Sequence, residues 1–114
     1  MKVEHRVEKN VCVIKLQGDI ALGADVEVQK YIKPLLEDKN LIGVVVNMRE
    51  VETIDSSGIG LTISLYKQLK ETQVKFILCQ LREYVLEAYT LTGLNSVLTI
   101  LPTEEEAIAS LEPS

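Results

Sequence analysis

The segment Ile54-Asp55-Ser56-Ser57-Gly58-Ile59-Gly60-Leu61 places hydroxyls, a carboxylate and glycines between two apolar stretches. Groups of this kind at such a junction can cap a helix, accept a phosphoryl group or, with a histidine, form a nucleophile. The nucleophile option finds little support. Ser56 stands between a strand and a helix as an elbow serine does, but Ile54 occupies the place of the first Gly in G-x-S-x-G. His5, the only histidine, lies in the N-terminal strand segment, from which a Ser/His/Asp triad would have to recruit it. The chain has no GxxxxGK[ST], no GxGxxG after a strand, no HExxH and no Cys pair at zinc spacing. Cys12 and Cys79 are far apart, each inside an apolar run, and read as buried structural thiols. No catalytic residue, metal or cofactor is expected.

The helix-cap reading fits the same segment well. With Asp55 as N-cap, its carboxylate accepts from the amide of Ser57 or Gly58, and Ile54 and Ile59 flank the cap as a hydrophobic staple. Ser56 is then the first helical residue, its hydroxyl free to face solvent at the positive end of the helix dipole, where a phosphate is favourably placed. Ser57, one residue on, is expected to turn further into the helix start. A second loop, Gly18-Asp19-Ile20-Ala21-Leu22-Gly23, follows a strand candidate. If the strands ahead of the two loops are neighbours, Asp19 and Asp55-Ser56-Ser57 share one rim, since ligands and partners of open α/β sheets meet the loops at the carboxyl ends of parallel strands.

The elements that must position these loops follow from periodicity. Residues 3–7 and 11–17 read as two strands joined by the polar turn Glu8-Lys9-Asn10. In the second, Cys12, Ile14 and Leu16 alternate with Val13, Lys15 and Gln17, so one face should be better buried than the other. From Ala24, the residues Val28, Ile32, Leu35 and Leu36 recur at helical spacing, with Pro34 expected to distort the last turn. Residues 41–48 and 74–79 read as strands buried on both faces, the mark of a parallel sheet. Helices are expected over 58–71 and 81–92, the latter stopped by Gly93, then a strand over 97–101 and a final helix opened by the Thr103-x-x-Glu106 capping box. The order β-β-α-β-α-β-α-β-α predicts a single α/β domain with a mixed, mainly parallel sheet and about four helices, joined by right-handed crossovers.

Composition narrows the partners. Across 114 residues, 12 Lys and Arg stand against 17 Asp and Glu, a net charge of −5, which disfavours nucleic acid and anionic membrane surfaces because both require dense positive charge. The longest mainly apolar run, 41–48, spans eight residues, well short of the ~20 a membrane-spanning helix needs. The N-terminus lacks the apolar stretch of a secretory signal, so a cytoplasmic location is expected.

With these elements in place the chain resembles the STAS domain family, and within it the bacterial anti-sigma-factor antagonists. The resemblance rests on residues 11–18 with their Gly ending, on Asn47 followed by Val51 and Ile54, and on residues 55–61. Leu91-Thr92-Gly93-Leu94 and the acidic final helix complete it, so it covers essentially the whole chain. It implies a switch protein without catalysis of its own. The unphosphorylated form binds an anti-sigma factor that is also an ATP-dependent serine kinase; phosphorylation ends that binding, and a serine phosphatase resets it. The acceptor implied is Ser56, the first Ser after the Asp, with Asp19, Leu22, Asp55, Ser57, Gly58 and Ile59 as partner contacts. Where family antagonists often carry an Asp three residues after the strand-ending Gly, this chain has Ala21, with Asp19 close by. A second reading is a STAS subunit bound constitutively to a transporter ATPase. A third, a module for a small molecule or nucleotide, lacks a phosphate-cradling loop to support it.

Overall fold

A computed structural model of the chain describes residues 2–20 and 23–112. β1 (Lys2–Glu8) and β2 (Val11–Gln17) form an antiparallel hairpin, and Lys9 and Asn10 between them both take positive φ, 51° and 66°. That is the pattern of a type I′ turn, whose twist matches paired strands. The turn is one residue shorter than the sequence suggests because Glu8 still pairs with Val11.

The hairpin is followed by α1 (Ala24–Leu36), β3 (Gly43–Glu50), α2 (Ser56–Glu71), β4 (Lys75–Cys79), α3 (Glu83–Leu91), β5 (Thr99–Leu101) and α4 (Glu104–Leu111), with a 3-10 turn at Leu94–Ser96. Apart from that turn, this is the expected order. The strands lie in the sheet as β1-β2-β3-β4-β5, and all pairs after the first are parallel. A sheet that adds each parallel strand on the same side through crossovers of one hand puts every crossover helix on one face. Accordingly α1, α2 and α3 share a core with Ile14, Val44, Val46 and Leu78, to which they contribute Ile32, Leu69, Val85 and Tyr89. α4 covers the other face, where Ala107 and Leu111 pack on Val11, Val13, Val45 and Ile77.

This second layer changes one expectation. Val11, Cys12, Val13 and Ile14 are all buried, so β2 has two covered faces over its first half, and the alternation survives only at Lys15, Leu16 and Gln17. Gly43, at the start of β3, lies close under α4: a Cβ there would stand 2.5 Å from Leu111 Cδ1, so that side chain would have to shift to admit one. The buried Leu41 instead sits in a turn, its N–H donating to the Asp38 carbonyl at 3.2 Å. α1 ends in bonds that reach three residues back, from the N–H groups of Glu37 and Asp38 to Pro34 and Leu35, but α2, which holds no proline, ends the same way at Thr72 and Gln73, so these bonds are not a mark of the distortion expected at Pro34.

Cys12 and Cys79 are free and fully buried. Burial pushes their thiols up, to about 11 and about 12 respectively. A thiol-reactive dye at pH 8 should therefore leave both unmodified in the native protein and label two per chain in denaturant, because the thiolate is the reacting species. Labelling of native protein as fast as of unfolded protein would contradict this packing.

Candidate functional site

The rim at the carboxyl ends of β2 and β3 is held together by the two loops themselves. The N–H of Gly18 donates to the Glu50 carbonyl at 3.0 Å, that of Ile20 to Thr53 at 3.1 Å, and that of Asp55 to Ile20 at 3.3 Å. Ile20 and Ile54 form an isolated parallel bridge. These bonds carry the β2–β3 pairing past the irregularity between Lys15 and Gln17. The exposed Asp19 accepts from the Thr53 hydroxyl at 2.7 Å and so stands on the same rim as Asp55, Ser56 and Ser57.

Asp55 is the N-cap of α2. Its backbone is extended (φ −106°), and its Oδ1 accepts the Gly58 N–H at 3.0 Å, while the Ile59 N–H donates to the Asp55 carbonyl at 3.0 Å. Ser56 is thus the first helical residue, exposed, and its hydroxyl makes no hydrogen bond to another described residue. Ser57 is exposed as well, not turned into the helix start, because on this first turn the side chains of both serines lie outside the packed face. Accessibility does not separate the two serines. Asp55→Ala should lower stability by about 0.5–2 kcal/mol in urea unfolding, whereas Asp55→Asn, which keeps the acceptor, should stay close to the parent. Equal losses in the two variants would argue against the cap.

Gly58, expected among the partner contacts, is buried and offers a partner no surface. A Cβ there would meet Ile54 Cγ1 at 2.5 Å, Ile20 Cγ2 at 2.7 Å and the Ile20 carbonyl oxygen at 2.8 Å. Its part is to let α2 close on the loop that carries Asp19. Ile59 is half-buried against the core; Leu22 and Ala21 lie outside the described residues. Below Gly58, the Thr62 hydroxyl bonds both the Gly58 carbonyl at 3.0 Å and the Tyr89 hydroxyl at 2.8 Å, tying the start of α2 to α3. Thr53, Thr62 and Tyr89 carry no signal in the sequence beyond their residue types.

The match to known proteins spans the domain: the STAS domain family matches residues 2–107. This chain belongs to the STAS domain family. BtrV of Bordetella bronchiseptica, assigned as an anti-sigma factor antagonist, is 28% identical over 75 residues, which make up 66% of this chain and 65% of that protein. The anti-sigma F factor antagonist of Paenibacillus polymyxa is 20% identical over 112 residues, 98% of this chain and 96% of the relative. Among solved structures, the antagonist SpoIIAA in its unphosphorylated form superposes with a TM-score of 0.78 at 24% identity, covering 94% of this chain and 93% of that one. The phosphorylated form of Bacillus SpoIIAA gives 0.74 at 22%, covering 97% and 100%. At these identities the superpositions establish the fold.

On its other face the STAS domain has a second polar cluster, where α4 begins. Asn47 on β3 is buried; its Nδ2 donates to Glu104 Oε2 at 2.7 Å and its Oδ1 accepts from the Arg49 N–H at 2.9 Å. Arg6 on β1 pairs with the other Glu104 oxygen. Burial works against the Glu104 charge, but the hydrogen bonds from Arg6 and Asn47 outweigh it and hold the carboxyl below its ordinary range. A carboxyl with a lowered native pKa contributes its full stability above the unfolded pKa and loses it as pH falls through the folded one. The domain should therefore weaken on acidification below the ordinary carboxylate range. Glu104→Gln should flatten that part of the pH profile and cost about 1 kcal/mol at pH 7; an unchanged acid limb in thermal melts would remove Glu104 from this role.

Proposed function

We propose that this STAS domain is an anti-sigma factor antagonist whose binding is switched at Ser56. Unphosphorylated, it binds an anti-sigma factor that is also a serine kinase, and the bound sigma factor is released. The kinase transfers the γ-phosphoryl group of ATP to Ser56 Oγ, the hydroxyl proton is lost, ADP leaves, and the modified domain dissociates; a serine phosphatase hydrolyses the ester and restores it. The domain supplies the acceptor and the docking rim, and the catalysis belongs to its partners. The observation that carries this reading is the exposed Ser56 at the first position of a capped helix, beside Asp55 and on one rim with Asp19. The names of BtrV and of the Paenibacillus relative support it, as does SpoIIAA, a protein of this fold solved with and without phosphate.

Such a role belongs in the cytoplasm. Among the described residues no helix is long and apolar enough to cross a membrane, and the net charge of −5 fits a protein partner better than nucleic acid. Affinity capture with and without ATP, followed by phosphosite mapping, tests the reading. The expected result is a serine kinase of the anti-sigma type retained without ATP and released with it, with phosphate on Ser56. Retention of a transporter ATPase regardless of ATP would replace this reading with that of a constitutive subunit. Phosphate confined to Ser57 would move the acceptor.

A further inference from the structure

The sheet ends on β1, which among the described residues pairs with β2 alone and leaves its other edge open. Open edges are a hazard that folds blunt with proline, bulges or a very short strand. β1 has none of these: it runs for seven residues, Lys2–Glu8, with no proline and no break in its register against β2. Apart from Val3, all of its residues are exposed, the apolar Val7 among them. The direction of its main-chain groups follows from the hairpin. Glu8 and Val11 flank the two-residue turn Lys9-Asn10 and so exchange hydrogen bonds, and the alternation of an antiparallel ladder turns the groups of Arg6, Glu4 and Lys2 towards β2 as well. The N–H and C=O groups of Val3, His5 and Val7 therefore point outwards. In agreement, the Val3 carbonyl accepts from the Tyr31 hydroxyl of α1 at 3.4 Å, a long bond that leaves its second lone pair free.

The side chains of the same strand carry a pattern that complements itself. Lys2, Glu4, Arg6 and Glu8 alternate in sign along one face, the face on which the β2 residues Val11 and Val13 meet α4. When a second β1 lies antiparallel against the first with His5 opposite His5, Lys2 faces Glu8 of the second copy and Glu4 faces Arg6, while on the other face Val3 stands opposite Val7. The outward groups of Val3, His5 and Val7 then meet in hydrogen-bonded pairs, and the charged residues fall in the non-hydrogen-bonded pairs, where side chains are closest. Other registers fail on charge. Sliding the strands by one repeat of the pleat sets Glu4 against Glu4 and Lys2 against Arg6 in one direction, and Arg6 against Arg6 and Glu4 against Glu8 in the other. A row of charges that only kept an edge single would gain nothing from this order. The far edge of the sheet, β5, is three residues long and does not match β1 in length.

We propose that this edge binds a second copy of the chain, β1 against β1 in this register, so that the two sheets run on as one across a two-fold axis at His5. The reading needs nothing from the Ser56 rim, and its failure would leave the function proposed above standing. Sedimentation equilibrium of the full chain at low salt, where surface charges act over a longer range, should show a concentration-dependent dimer. The amides of Val3, His5 and Val7 should exchange with deuterium more slowly as that dimer fills. Lys2→Glu places like charge opposite Glu8, and Glu8→Lys does so opposite Lys2, so each variant alone should self-associate about tenfold or more weakly than the parent. Mixed in equal amounts, the two variants bring opposite charges together at both positions and should associate as tightly as the parent. The intrastrand pairs they touch, Lys2–Glu4 and Arg6–Glu8, are exposed and contribute little to the fold, which circular dichroism checks. The proposal is overturned if the parent stays monomeric up to ~1 mM, if its dimer leaves those amides unprotected, if either variant associates as the parent does, or if mixing the variants fails to restore association.

Discussion

Gly58→Ala should destabilise the domain by about 1–3 kcal/mol, while Gly60→Ala, two residues further along the same helix, should stabilise it by up to ~1 kcal/mol. Helix propensity alone predicts a gain at both positions. Space decides otherwise at Gly58, where a Cβ would stand 2.8 Å from the backbone oxygen of Ile20, an atom that already accepts the Asp55 N–H. The Ile20 and Ile54 side chains could give way, but the carbonyl can move only by parting the two loops at their bridge. A Cβ at Gly60 would meet nothing within 4 Å beyond the backbone of its own helix, so the entropic advantage of alanine is unopposed there. Urea unfolding of the two variants beside the parent measures both signs in one experiment. A Gly58→Ala protein as stable as the Gly60→Ala protein would show that the loops are not held by this close approach.

Phosphorylation of Ser56 should weaken binding of the proposed anti-sigma partner by about a hundredfold and leave the helix content unchanged. The phosphate adds about −1.5 to −2 charge next to Asp55 and on the rim that carries Asp19. Docking a partner would then require desolvating clustered like charge, a penalty of several kcal/mol where each ~1.4 kcal/mol is tenfold in affinity. The first position of α2 accommodates the added charge, because the helix dipole favours an anion there. Ser56→Asp should bind less tightly than the parent but better than the phosphoprotein, since one carboxylate imitates a phosphate poorly. Ser56→Ala should bind and not respond to ATP. Titrations of modified and unmodified protein against the captured partner, with circular dichroism alongside, supply the comparison. Equal affinities would end the switch reading, and a weaker affinity accompanied by loss of helix would mean that the phosphate acts by unfolding the rim.

The residues that make local structure were readable before the fold was known. Asp55 caps α2, Thr103 caps α4 by accepting from the Glu106 N–H at 3.1 Å, and Gly93 turns the chain after α3 with φ 77°, each through contacts within a few residues. What the sequence left out depends on chain that is distant. The second buried face of β2 is made by α4, about 95 residues further on, and no period within β2 records it. The strand expected over 97–101 begins at Thr99 because the N–H groups of Val97 and Leu98 are taken by the Leu94 carbonyl. At the site, the cap register was legible, while the burial of Gly58 and the Thr53–Asp19 bond required the register of β2 against β3. Gly58 and Gly60 look alike in the sequence, and only the approach of the Ile20 loop separates the crowded one from the open one.

The placement of α4 fixes an order of events during synthesis. All five strands precede residues 104–111 in the chain, so the face made by Val11, Val13, Val45 and Ile77 stays wet until that segment has left the ribosome. A nascent chain ending before α4 can close the layer of α1, α2 and α3 and still present a flat apolar sheet surface, the kind that associates with other unfinished chains. The segment that completes the fold also brings Glu104 to Arg6 on β1. β1 thus finds its strand partner in β2 at the outset, yet Arg6 on it gains the Glu104 carboxylate only when the end of the chain arrives.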